Sequence, residues 1–161
     1  MAKAGLQFSK KDEWYTPKEV IDTFGPFEYD PATTDKVAKY HGIPKYDTIK
    51  TDGLKTDWTQ YKTIWINPPF TRKFEFLEKL MWTLQSPYAP RTICVLLPIE
   101  TLTTKRFHDL VKEPFDIVIP NGRIKFSDGA GGGTSPAFGS VVLIFSKKGR
   151  QNHVIRWKLD G

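Results

Sequence analysis

Apolar positions along the chain change their period several times, and each change marks an element. Val20, Ile21 and Phe24 share one helical face behind Thr16-Pro17, where the threonine is placed to cap and the proline to take the first helical position; Gly25-Pro26 ends the segment. Phe27-Glu28-Tyr29-Asp30 alternates like a strand and runs into Pro31-Ala32-Thr33-Thr34, a turn that caps a helix reaching Lys39. An acidic residue, Asp30, therefore sits at the carboxyl end of a strand. From residue 40 to 62 the pattern breaks into turns and short extended pieces. Thr63-Ile64-Trp65-Ile66 predicts a buried strand, and Asn67-Pro68-Pro69-Phe70 stops it, because neither proline can donate to a ladder. Phe74, Leu77, Leu80, Met81 and Leu84 then recur at helical spacing.

Residues 91–98 (RTICVLLP) have the unbroken apolar character of an interior parallel strand, and residues 103–112 follow as a helix through Phe107, Leu110 and Val111. Two successive strand–helix units point to an α/β layer fold. In the C-terminal third, residues 115–120 and 140–145 are strong strands bracketing residues 121–139, a mobile loop with a glycine tract at 129–133. Residues 151–159 alternate and read as an edge strand pairing back. There is no internal repeat and no domain linker. Residues 1–11 form a loosely held basic arm, and residues 12–161 a single domain with no room for a separate target-recognition domain.

The length, 161 residues with 39% hydrophobic, suits one core without staples. One cysteine, Cys94, excludes an internal disulfide framework and a cysteine-based zinc site, and fits a reducing cytosol. No apolar run approaches the roughly 20 residues of a membrane helix, so no membrane partner is expected. The 24 Lys+Arg against 18 Asp+Glu permit a polyanionic partner. His41, His108 and His153 lie on different segments without ligand spacing, read as surface and imply no metal. Trp58 and Trp65 read as core.

Asn67-Pro68-Pro69-Phe70 carries the most specific chemistry. An exocyclic aromatic amine is a poor nucleophile because its lone pair is delocalised into the ring. An asparagine oxygen and a main-chain carbonyl, both acceptors, take its two hydrogens and favour a tetrahedral, more nucleophilic nitrogen. Pro69 keeps Pro68 extended, so the Pro68 carbonyl stays free, and Phe70 offers a face on which an unstacked base can rest. The competing structural meaning is a strand terminator with an aromatic plug. Position favours chemistry, since ligands of open α/β sheets bind at the carboxyl ends of strands.

Taken together, Asp12-Glu13-Trp14-Tyr15-Thr16-Pro17, Asp30-Pro31-Ala32-Thr33, Asp52-Gly53-Leu54 with Trp58, Asn67-Pro68-Pro69-Phe70, Gly122-Arg123-Ile124-Lys125-Phe126 and Ser135-Pro136-Ala137-Phe138-Gly139-Ser140 resemble the N6-adenine DNA methyltransferases, most closely the small phage-encoded Dam-like family. The resemblance implies an abbreviated Rossmann-like α/β methyltransferase fold, a mixed sheet with a C-terminal β-hairpin, that uses S-adenosylmethionine. It makes Asn67, Pro68, Pro69 and Phe70 catalytic, and assigns Tyr15, Thr16, Pro17, Asp30 and Ala32 to the cofactor. Asp52 and Asp57 both stand ahead of the catalytic strand: Asp57 is favoured for the adenine of the cofactor, Asp52 for its ribose or for local turn structure. The usual glycine-rich turn after the first strand is replaced by Pro31-Ala32-Thr33-Thr34, and the short span from Asp30 to Asn67 implies a missing edge strand.

The expected substrate is DNA. Arg72 and Lys73, just past the catalytic loop, are placed to neutralise phosphates, and Arg123 and Lys125 belong to a DNA-contacting flap; ordinary solvated charges are the alternative for all four. Lys147, Lys148 and Arg150 make a further basic turn. A phage-encoded enzyme of this kind works in the bacterial host cytoplasm, as monomer or homodimer. Two rival readings stay open, a methyltransferase acting on RNA or a protein amide, and a non-catalytic nucleic-acid-binding relic of the fold.

Overall fold

The computed structural model describes residues 15–127, 133–134, 138–147 and 152–158. The expectations for the arm at 1–11, for Asp12 to Trp14, for most of the 129–133 tract, for Ser135, Pro136 and Ala137, and for Lys148 and Arg150 lie outside the described residues. The helices are α1 (Lys18–Phe24), α2 (Asp35–His41), α3 (Lys73–Leu84) and α4 (Lys105–Leu110). The strands are β1 (Tyr29–Asp30), β2 (Lys45–Tyr46), β3 (Thr63–Ile66), β4 (Thr92–Pro98), β5 (Asp116–Pro120), β6 (Phe126–Ser127), β7 (Gly133–Thr134), β8 (Ser140–Ser146) and β9 (Val154–Trp157).

Seven strands form one mixed sheet in the order β2-β1-β3-β4-β8-β5-β9, while β6 and β7 pair antiparallel on their own. The strands β2, β1, β3 and β4 run parallel, with Tyr29 opposite Ile64 and Thr63 to Ile66 opposite Thr92 to Val95. Asp30 and Asn67 thus leave the sheet at the same edge, the carboxyl end of two neighbouring strands, where an α/β sheet presents its ligand site.

The alternation of side chains explains why the runs in β3 and β4 are unbroken. Ile64, Ile66, Ile93, Val95 and Leu97 face Phe76, Leu77 and Leu80 of α3 and Phe107 of α4, and Val141, Leu143 and Phe145 of β8 join them. Trp65, Cys94, Leu96 and Val142 face the other way, onto Val20 and Ile21 of α1 with Phe27 and Ile124. Both faces are covered, so neither parity of the strand tolerates a polar residue. Trp58 and Trp65 are core, as the sequence implies.

Several sequence expectations change. Thr16 does not cap α1: the helix starts at Lys18 behind Pro17 and has no side-chain cap. The first strand is two residues long instead of four, although Glu28 N still bonds Thr63 O at 3.0 Å. The β4 strand has a parallel neighbour on one side only, because β8 pairs with it antiparallel over its whole length. The same β8 pairs antiparallel with β5, which is the expected C-terminal hairpin. The last strand is the expected edge strand, and it pairs parallel with β5. His41 is not a surface residue; it is 5% exposed. No helix among the described residues is long and apolar enough to cross a membrane.

Candidate active site

The loop after β3 follows from its prolines. Neither Pro68 nor Pro69 can extend a ladder, and Pro69, at φ −54° and ψ 136°, leads the chain into a 3₁₀ turn over Phe70–Arg72 that opens α3. Arg72 N bonds the Pro69 carbonyl at 2.9 Å. No hydrogen bond reaches the Pro68 carbonyl among the described residues, although Pro68 itself is buried. Asn67 is half-buried, and its Nδ2 donates to Thr16 Oγ1 at 3.1 Å. This bond uses the amide's donor side and leaves Oδ1 as an acceptor. Two acceptors, Asn67 Oδ1 and the Pro68 carbonyl, therefore stand in adjacent residues. Phe70 is 57% exposed, and its ring is nearly parallel to that of Phe138, at 6.2 Å and 8°.

Thr16 is held in turn. It is 1% exposed, and its carbonyl accepts a 2.7 Å bond from His41 Nε2. Burial lowers the His41 pKa, so the ring is neutral near pH 7, and its Nδ1 is buried without a partner. Tyr15 is buried beside Tyr40 in an edge-to-face contact at 5.5 Å. Pro17 opens α1 behind them.

Across the sheet edge, Asp30 is 2% exposed and accepts one bond within the described residues, from Ala32 N at 2.9 Å. Burial raises its pKa to about 7, with the Ala32 bond opposing the shift. The Thr33 hydroxyl, three residues further along the chain, is buried with no partner. Gly53 brings a further segment here: a Cβ at this position would lie 2.0 Å from the Pro31 carbonyl oxygen, so only glycine lets the turn dock on the β1–α2 connection. Asp52, at φ 58°, caps the Gly53–Lys55 3₁₀ turn through Leu54 N, and its charge acts on Arg72. Asp52 thus adjoins the turn docked on Pro31 and acts electrostatically on the start of α3. Asp57, favoured from sequence for the cofactor's adenine, caps the Trp58–Gln60 turn through Thr59, and the charge of Lys79 acts on it.

The basic residues divide. Arg72 forms a two-pronged pair with Glu75, at 3.1 and 3.3 Å. Lys73 Nζ sits 4.4 Å from the Phe70 ring centroid, and burial lowers its pKa. Arg123 and Lys125 are exposed on either side of the buried Ile124, which roots their segment in the core. Phe138 and His41 are the site neighbours that sequence reasoning missed. The only trace of Phe138 is its place between Ser135-Pro136 and Gly139, and the pairing of His41 with Thr16 leaves no local signal. Among the described residues no three His, Cys, Asp or Glu side chains group to hold a metal.

Comparison with known proteins gives two findings. A family model described as DNA N-6-adenine-methyltransferase (Dam) matches residues 3–157. A DNA N-6-adenine-methyltransferase of Escherichia phage T1 is 30% identical over 99 residues, covering 58% of this chain and 38% of that protein. The matched stretch is well under half of that relative's length.

Proposed function

The chain belongs to the DNA N-6-adenine-methyltransferase (Dam) family, and on that footing we propose that it transfers a methyl group from S-adenosylmethionine to the exocyclic N6 of an adenine turned out of duplex DNA. The observation that carries the reading is the Asn67–Thr16 bond, which leaves Asn67 Oδ1 and the neighbouring Pro68 carbonyl as paired acceptors beside the exposed ring of Phe70.

The residues present fit the cofactor. A buried carboxyl at Asp30 with a single donor, and an orphaned Thr33 hydroxyl in the turn that follows it, are groups that hydroxyls or an ammonium would satisfy. Asp30, Ala32 and Asp52 would hold that end, and Tyr15, Thr16 and Pro17 the side nearer Asn67. When bound, S-adenosylmethionine supplies an electrophilic methyl on a sulfonium whose leaving group is a neutral thioether.

Asn67 Oδ1 and the Pro68 carbonyl accept the two N6 hydrogens, which localises the nitrogen lone pair. The nitrogen so held is oriented to receive the methyl group that the cofactor would supply. The methylated nitrogen then sheds one proton to water, without a general base of matched pKa. Phe70 carries the base on its ring, with Phe138 parallel to it. The test is incubation with methyl-labelled S-adenosylmethionine and adenine-containing duplex, followed by nucleoside analysis. Label in N6-methyl-2′-deoxyadenosine is expected. Label only in RNA or protein would replace the substrate, and none at all would favour the relic.

A further inference from the structure

The aromatic face of the catalytic loop does not end at Phe70. Lys73 Nζ lies 4.4 Å from the Phe70 centroid and 5.5 Å from that of Phe74, and the Arg106 guanidinium lies 4.5 Å from the same Phe74 ring. Rings and cations therefore follow one another from the loop, along the start of α3, to α4. Neither Lys73 nor Arg106 makes a salt bridge among the described residues, whereas Lys105 is tied to Asp109 and Arg72 to Glu75.

We propose that Phe70, Lys73, Phe74 and Arg106 form one track that holds the phosphate backbone of the DNA strand carrying the target base. The inference rests on the reading of the chain as a DNA methyltransferase and extends it to a surface outside the catalytic loop. A cation already seated on a ring loses little side-chain freedom when it meets a phosphate, and the planar fork of an arginine can bind two phosphate oxygens at once. Charge decides where the strand runs. The cleft of about 500 Å³ between α3 and α4 is lined by Phe74, Glu78, Lys105, Arg106, Asp109 and Leu110. Two of its lining residues, Glu78 and Asp109, are carboxylates that repel a phosphate, and Lys105 is paired with Asp109. Glu100 acts on Lys73 electrostatically without forming a salt bridge with it. The backbone therefore follows the side of Phe74 where Lys73 and Arg106 both meet its ring, next to Phe70.

The experiment measures binding of a short fluorescent adenine-containing duplex across a potassium chloride series, with wild-type protein and Arg106→Gln, Lys73→Gln, Arg106→Lys and Lys62→Gln. Lys62 precedes β3, at the opposite end of the sheet from the loop. Arg106→Gln and Lys73→Gln should each bind several-fold more weakly, with the slope of log affinity against log salt reduced by about 0.9 per lost phosphate contact. Arg106→Lys should keep the slope, Lys62→Gln should match wild type, and S-adenosylmethionine affinity and Tm should hold throughout. Wild-type binding with an unchanged Arg106→Gln affinity and slope would overturn the track alone. An equal loss in Lys62→Gln would also overturn it, as a general charge effect. A wild-type protein that binds neither duplex nor S-adenosylmethionine would overturn the functional reading beneath it.

Discussion

Asn67 and Thr16 stand 51 positions apart and meet through a 3.1 Å hydrogen bond, donated by the asparagine amide to the threonine hydroxyl. The bond fixes which end of the amide points away from the N-terminal segment, so the acceptor oxygen at the site depends on a residue far from it in sequence. Thr16 is a positioning residue in this sense. Its own carbonyl is held by His41.

Thr16→Val should lower the single-turnover methylation rate about tenfold, the order expected for one lost hydrogen bond, with KM for DNA little changed. Thr16→Ser, which keeps the hydroxyl, should recover the rate. Equal rates for the valine and serine variants would show that the hydroxyl does not orient Asn67.

Asn67→Ala removes one of two preorganised acceptors and should reduce the rate about a hundredfold to a thousandfold while S-adenosylmethionine affinity stays intact. Calorimetry and rate measurements on the same preparation check both parts. Near-normal turnover would rule out amine activation by this side chain.

Phe70→Tyr should retain activity and Phe70→Ala lose most of it, since the exposed ring supplies a stacking face. A duplex carrying 2-aminopurine at the target reads the unstacked base by its fluorescence. An alanine variant with an undiminished signal would end the stacking role.

Asp30 carries a pH dependence with a definite sign. Its carboxyl titrates near 7 in the folded chain against an ordinary value of 3.8, so the native state holds the proton more tightly than the unfolded state does. Its contribution to stability is complete below pH 3.8 and is lost as the pH rises through 7. Denaturant unfolding should therefore show wild type losing stability between pH 5 and pH 8 relative to Asp30→Asn. Parallel profiles for the two proteins would mean that the carboxyl is not buried as described.

Gly53→Ala places a methyl 2.0 Å from the Pro31 oxygen and should destabilise the protein by about 1–3 kcal/mol, with weaker S-adenosylmethionine binding because the Asp30 and Asp52 segments separate. Unchanged Tm and affinity would show that the two turns are not locked together.

The elements that rest on local pattern were legible in sequence. β3 and α3 follow from a β-branched run, a proline pair and a helical apolar stripe, and the site loop falls between them because Asn67-Pro68-Pro69 can belong to neither. What escaped were roles settled by distant partners. Thr16 has the chemistry of a helix cap, yet its hydroxyl is engaged by Asn67. His41 has the isolation of a surface histidine, yet burial and the Thr16 carbonyl claim it. Asp52 and Asp57 both open 3₁₀ turns, and nothing local distinguishes them; what sets Asp52 apart is the fit of the adjoining Gly53 against Pro31, a contact between distant segments. An apolar run such as β4 does not encode the direction of its neighbours, so the antiparallel β8 beside it was not foreseen.

The place of β8 also sets an order of assembly. The partner of β4 on one edge, β3, precedes it in the chain, whereas the strand that covers its other edge, β8, ends only at Ser146 and is synthesised more than forty residues later. During translation the nascent chain displays a seven-residue ladder edge flanked by Ile93, Val95 and Leu97, the kind of edge that recruits another strand when its own is late. A product that stops before Ser140 keeps every residue of the catalytic loop and still exposes that edge, so it should precipitate or swap strands with a copy of itself. The last sheet strand to reach the centre is thus what makes the earlier parts safe to expose.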